Sequence, residues 1–268
     1  MSGNRGVALR FFFGDNLSSI EASARKYVRE MERMSEKNFS VSTMLFLQAV
    51  LNLMDPTCSD PTVLTGEVTD QDSVLNRATE RNYIAAGIQV YRLRLYLALL
   101  FRLDLLAGEL LESMMENYST RRIPNIGLVP TTFLTGLVAA MMARKKDPNK
   151  WMPTANACRT KIQVWSEASQ WNYKHMLRFI EAEIAYSKGH HEEAKTAYDD
   201  SIRLAGEHRF IHDQALCLER AALYHKDVSG GSSTLSVKYL SEARDLYTKW
   251  GAHRKAADVQ LLVERLMQ

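Results

Sequence analysis

The segment AEIAYSKGHHEEAKTAYDDSI, residues 182–202, crowds two histidines, three glutamates and two aspartates into one short stretch. Such groups hold metals or move protons when they converge on one point. Spacing decides whether they do. His190 and His191 are adjacent, and neighbours on a helix point about 100° apart, so together with Glu193 they do not close on one ion. Asp199 and Asp200 diverge for the same reason, which removes a general acid–base pair. His208 and His212 have the i, i+4 spacing that suits a metal on one helix face. Their context, GEHRFIH, begins at a glycine between helices and lacks the glutamate of a zinc protease. No phosphate loop, dinucleotide fingerprint, kinase element or nucleophile elbow occurs. The expectation is no metal, no cofactor and no catalysis: a non-enzyme.

Helices must position these residues. Leu17, Ile20, Ala24, Val28, Met31 and Met34 form one apolar stripe, predicting a helix over 17–36. Further helices are predicted at 39–54, ending before Pro56, and at 70–80, 83–103, 104–118, 130–145 and 153–169, the last opening on Pro153. Pairs follow at 171–188 with 190–205 and at 210–226 with 233–249, then a final helix at 252–266. Six prolines and 13 glycines in 268 residues are few, and no strand alternation of useful length is found. The fold class is all-α.

Composition narrows the function classes. Basic and acidic residues number 34 and 31, a net charge of +3, too small to call for a polyanion. Arg121-Arg122 and Arg144-Lys145-Lys146 fall at helix ends and loops, where the helix dipole accounts for the second cluster; no nucleic acid partner is expected. Cys58, Cys158 and Cys217 are odd in number and far apart, which suits a reducing, cytoplasmic setting. The apolar run FLTGLVAAMMA, 133–143, is too short to span a bilayer, and the longer YRLRLYLALLFRLDLLAGELL carries Arg92, Arg94, Arg102 and Asp104. No membrane partner is expected. Tyr83, Tyr91, Tyr96, Phe101, Trp165, Trp171, Phe179 and Trp250 stand mostly at helical spacing, as core rather than as a ligand box.

The helices recur. Ala182, Gly189, Ala194, Tyr198 and Ser201 have the spacings of a tetratricopeptide unit, in which two antiparallel helices approach closely only where small side chains meet. Ala221, Tyr224, Ser236, Leu240 and Ala243 fit a second unit, with a surplus taken up by VSGGSSTLS. SKGHHEEAKTAYDD then reads as a turn at Gly189 and an outer helix, with Glu192 and Glu193 favoured by the dipole of its first turn. The expected organisation is a single α-solenoid over 1–268, with degenerate helix pairs over 1–150 and clearer tetratricopeptide-like pairs over 151–268.

A wider resemblance rests on Glu181-Ala182-Glu183 with Ala194 and Tyr198, on Gly206 and Phe210 leading to His212 and Ala215-Leu216, and on Glu219, Tyr239-Leu240, Glu242-Ala243 and YTKWGAHRKA, 247–256. Upstream, LQAVLNLM, PTVLTGE and TTFLTGLVAAMMARKKD contribute. These stretches resemble the tetratricopeptide-like region of multidomain signalling proteins that joins an AAA/STAND ATPase to a histidine kinase or cyclase. The resemblance implies signal transduction, with an ATPase or kinase module in the same or another chain as partner. The chain departs from the family in lacking those modules and in the insertion at Gly230-Gly231. Val7–Phe13 reads as the end of a helix without its partner, so a fragment of a longer protein or a reduced relative is expected.

The function expected is therefore a scaffold for protein–protein interaction, taking a protein or peptide partner in a groove lined by inner helices. Counting from Ala182 and Ala221 puts Phe179, Glu183 and Tyr186 on that groove, with Leu218, Ala222 and His225 in the next unit. The alternative is a regulatory subunit or enzyme with a small-molecule pocket between helices. RNA binding by a helical repeat lacks the regular base-reading pairs it needs.

Overall fold

Short left-handed turns set the architecture. Gly14, Arg102, Gly189 and Arg209 have φ of 78°, 59°, 76° and 64°. After each, the next residue's N–H returns to a carbonyl in the last turn of the preceding helix: Asp15 to Arg10 (3.0 Å), and Leu103 to Ala98, His190 to Ala185 and Phe210 to Ala205 (each 2.9 Å). This closes the orphan carbonyls of a helix end and reverses the chain within two or three residues. Glycine adopts that conformation without strain, whereas Arg102 and Arg209 carry a cost of about 1 kcal/mol each.

The computed structural model describes residues 2–34, 37–57, 60–80, 83–118, 125–230 and 234–267. Cys58, Arg121, Arg122 and Gly231 lie outside them. Among the described residues are thirteen α-helices and no strand. Two compact units are formed, one of Met1–Thr131 with Gly251–Arg254, the other of Thr132–Trp250 with Lys255–Gln268.

The first unit holds α1 (Ser2–Phe13), α2 (Leu17–Arg33), α3 (Lys37–Met54), α4 (Gln71–Glu80), α5 (Ile84–Leu100) and α6 (Asp104–Tyr118). Asn16 caps α2 by accepting from the Ser18 N–H at 3.1 Å. The predicted stripe of α2 is buried through Leu17, Ile20, Ala24 and Val28, while Met34 lies beyond the helix and is exposed. Helix α1 packs on both α2 and α3, so Val7–Phe13 does have partners, with Phe11 set edge-on against Phe46 and Tyr96. Helix α5 is enclosed on nearly all sides and stops at Leu100 because Arg102 turns left-handed, three residues short of the predicted end.

Helix α7 (Asn125–Lys145) runs from the end of the first unit into the second. It starts five residues before the predicted 130 and carries Pro130 within its length. The segment Gly127–Lys145 is long and apolar enough to cross a membrane by length and composition, unlike the shorter run read from the sequence. It is 72% buried, as in the core helix of a folded domain. The second unit continues with α8 (Pro148–Ala168), α9 (Gln170–Ser187), α10 (His191–Glu207), α11 (Ile211–Ser229), α12 (Thr234–Trp250) and, from Lys255 on, α13 (His253–Met267). Helix α8 opens at Pro148 rather than Pro153, because Asp147 caps it by accepting from the N–H groups of Asn149 (2.9 Å) and Lys150 (3.3 Å).

Consecutive helices of the second unit pack as neighbours: α8 on α9, α9 on α10, α10 on α11 and α11 on α12. Ala182, Ala194, Ala221 and Ala243 are wholly buried, as are Tyr198, Ser236 and Leu240. Gly136 of α7 comes so close to α8 and α9 that an added Cβ would stand 2.7 Å from the Ile180 Cδ1 and 3.0 Å from the Cys158 Cβ. The missing side chain of Gly136 thus leaves room for Ile180 of α9 and Cys158 of α8.

Candidate functional site

The densest polar chemistry of the second unit lies inside the helix packing. Glu183, on α9, is 1% exposed. Arg220 of α11 donates to it through Nε at 2.8 Å and Nη2 at 3.2 Å, and Arg144 of α7 donates through Nη1 at 3.2 Å. Burial alone would raise the carboxyl pKa; the charges of Arg220 and Arg144 and the Arg220 hydrogen bonds overcome this and hold it at about 2. The Tyr198 hydroxyl is buried beside the same carboxylate, without completing a hydrogen bond of good geometry. Arg144 also lies over the Tyr186 ring, 3.8 Å from its centre. Tyr186 donates to Asp227, and its pKa is driven up by burial and by that bond. The Ser187 hydroxyl donates to the Ala140 carbonyl at 2.6 Å. One carboxylate thereby ties α7, α9 and α11 together.

Two more buried charge groups do the same elsewhere. His175 Nε2 meets Asp213 Oδ2 at 3.0 Å, with the imidazole stacked on Phe210. Asp213 loses from burial but is brought below the usual carboxylate range by His212 and the His175 bond. Lys255 Nζ donates to Glu219 Oε1 at 2.7 Å and Tyr247 Oη to Glu219 Oε2 at 3.0 Å. The His175–Asp213 pair has the composition of a catalytic dyad, but His175 is fully buried. The nearby Ser201 hydroxyl donates to the His175 carbonyl, not to its ring. A nucleophile facing backbone in a closed interior attacks nothing.

Most of the acidic and histidine residues of 182–202 form ion pairs or meet other helices. His190 faces Glu193 at 3.3 Å on the surface. The His191 carbonyl accepts from the Tyr224 hydroxyl at 2.7 Å. Asp199 accepts from Lys195 and from Tyr239, and Asp200 from Arg178. His208 and His212 do not meet: His208 stacks on the exposed Trp171 at 4.0 Å, and His212 is buried against Trp250. Among the described residues no three His, Cys, Asp or Glu side chains gather closely enough to hold a metal.

Of the six residues set on a groove by the sequence, Phe179, Glu183, Leu218 and Ala222 are buried and face neighbouring helices. Tyr186 and His225 are half-buried. Tyr186 points to Asp227 and Arg144, whereas His225 stands edge-on to the Tyr239 ring of α12. The count of one and four positions from a small residue ignored how wide the buried face of an enclosed helix is. Sequence reasoning also missed Arg144, taken as a dipole partner at a helix end, and Arg220 and Lys255; a lone charge among apolar helical neighbours was the available signal.

An open cleft of about 640 Å³ lies between α8, α9 and α10. Its floor is Ile184, Ala185 and Ala197, and its rim carries Arg159, Lys188 and Glu192. Arg178 and Glu181 are bonded to each other within it at 2.7 Å. Comparison of the chain with protein-family models, with curated proteins and with solved structures found no match.

Proposed function

We propose that the chain is a non-catalytic helical-repeat scaffold that binds a protein or peptide partner in signal transduction. Its second unit would be a short α-solenoid of degenerate tetratricopeptide-like pairs. The observation that carries this reading is the disposition of charge: the buried carboxylates Glu183, Asp213 and Glu219 are each engaged by a cation or histidine that joins separate helices. Buried alanines at Ala182, Ala194, Ala221 and Ala243 support the repeat reading. A rigid helix stack with an open, mixed-charge cleft suits recognition by shape and polar matching.

The partner of this reading is an ATPase or kinase module, in the same or another polypeptide, as the sequence resemblance implies. Cys158 and Cys217 are free and buried, and burial pushes the Cys158 thiol up to about 11. Both are inert thiols, which fits a cytoplasmic setting.

The test compares affinity purification of the full chain with that of an Arg159→Glu/Lys188→Glu variant. Both residues are on the cleft rim, so the fold is expected to persist by circular dichroism. Loss of one defined partner from the variant supports the reading. A thermal shift with a nucleotide or metabolite, and no partner lost, would favour the regulatory subunit or enzyme with a small-molecule pocket.

A further inference from the structure

We infer that the cleft between α8, α9 and α10 receives an amphipathic helix of the partner protein, about three turns long, which offers Lys188 a carboxylate and Glu192 a cation. The inference rests on the reading of this cleft as a partner site and names the segment it takes. The lining runs along α9 from Arg178 to Lys188, which is about 15 Å, or roughly three turns, at the rise of an α-helix. Helices α8 and α10 each pack on α9 and wall the cleft on either side. Ala185 and Ala197 form its floor with Ile184, and side chains as short as alanine let a further helix come down onto α9.

The charges of the lining set what the helix must carry. Glu181 accepts from Arg178 at 2.7 Å, and Arg159 stands 4.0 Å from the same carboxylate. Arg178 also donates to Asp200 at 3.1 Å, and Glu193 faces His190 at 3.3 Å. Two exposed groups of the rim remain. The Lys188 ammonium makes no ion pair or hydrogen bond among the described residues. Glu192 makes no ion pair there either; the cation that feels its charge, Lys195, is held by Asp199 at 2.9 Å. An unmet cation and an unmet anion, on either side of the Gly189 turn, match a segment that carries both signs. Other kinds of segment lack their receptor here. An extended strand needs a sheet edge, and the described residues contain no strand. A proline-rich segment needs a groove of aromatic rings, and no Phe, Tyr or Trp lines this one. A phosphorylated segment needs unengaged arginines, whereas Arg159 and Arg178 already face carboxylates. A helix laid in the groove is the mode that fits.

The experiment selects linear peptides of about 15 residues, long enough for about four helical turns, from a displayed random library on the intact chain. One selected peptide is then measured by fluorescence polarisation. The expected peptide places apolar residues three and four apart, with an acid and a base on their flanks. A proline at its centre weakens binding at least about tenfold, because a helix interior tolerates proline poorly. Lys188→Glu and Glu192→Lys each weaken it about fivefold, as expected for exposed ion pairs turned repulsive. Reversing the peptide acid restores affinity for the Lys188→Glu chain, and reversing the peptide base does so for Glu192→Lys. Glu207→Ala, outside the cleft, leaves affinity unchanged. Should a rim variant fail to fold by circular dichroism, the proline and charge changes in the peptide still decide against the natural chain. Peptides that respond to Lys188→Glu yet tolerate the proline overturn the helix and leave the partner reading intact. Peptides indifferent to both rim changes, or a library that yields none, also overturn the inference; a protein crosslinked from position 196 would then still uphold the partner reading.

Discussion

Glu183 and Arg220 face each other across α9 and α11 with two hydrogen bonds, 2.8 and 3.2 Å, and both side chains are almost wholly buried. Their relationship is the main polar fastening of the second unit. Removing one partner leaves a buried charge unmet, so Glu183→Gln is expected to cost about 3–5 kcal/mol in urea unfolding. Arg220→Met costs more than Arg144→Met, because Arg144 makes one bond to this carboxylate and is more exposed.

The same carboxylate predicts an acid limb. Its folded pKa, about 2, is depressed below the usual 4.5. A depressed acid stabilises the fold fully above its unfolded pKa and loses that contribution as pH falls toward the folded value. Stability should therefore decline between pH 4.5 and about 2. Glu183→Gln should flatten that part of the profile, as read by denaturation midpoints against pH. An unchanged slope would mean that other carboxylates govern the acid limb.

Close helix approach predicts a steric result. Ala182 and Ala221 are fully buried, and enlarging either to leucine is expected to cost about 1–3 kcal/mol by overpacking. Gly136→Ala should cost less, since the Ile180 Cδ1 met at 2.7 Å is the end of a flexible side chain and only the Cys158 Cβ at 3.0 Å resists, against the helix-propensity gain of alanine. Thermal denaturation of each single variant checks this; wild-type stability would mean the crossings have slack.

The turns predict opposite signs at two positions. Gly189 has φ of 76° with open space around it, so Gly189→Ala is expected to cost about 1 kcal/mol from backbone strain alone. Arg209, with φ of 64°, should gain up to about 1 kcal/mol on change to glycine. Equilibrium unfolding of both variants tests the shared turn.

Most helices were legible because apolar residues repeat at the helical period and because Gly189 marks the turn between α9 and α10. Helix starts were less so: Asp147 before Pro148 is a stronger start signal than Pro153, yet both prolines suit a first turn. The fastenings were not legible. Arg144 and Arg220 stand 39 and 37 residues from Glu183, and spacing of that order fixes no contact until the helices have packed. Helix α5 conceals Arg92 in the same way, because a helix enclosed on nearly all sides has no polar face by which a stray charge would stand out.

The scaffold reading is tested most directly by site-specific photo-crosslinking of the intact chain in cells. A photoreactive residue replaces Thr196 in the cleft or, as a control, exposed Glu207 outside it. The account predicts one protein crosslinked from position 196, absent from position 207 and lost in the Arg159→Glu/Lys188→Glu background. The same proteins crosslinked from both positions, or none from position 196, would contradict it.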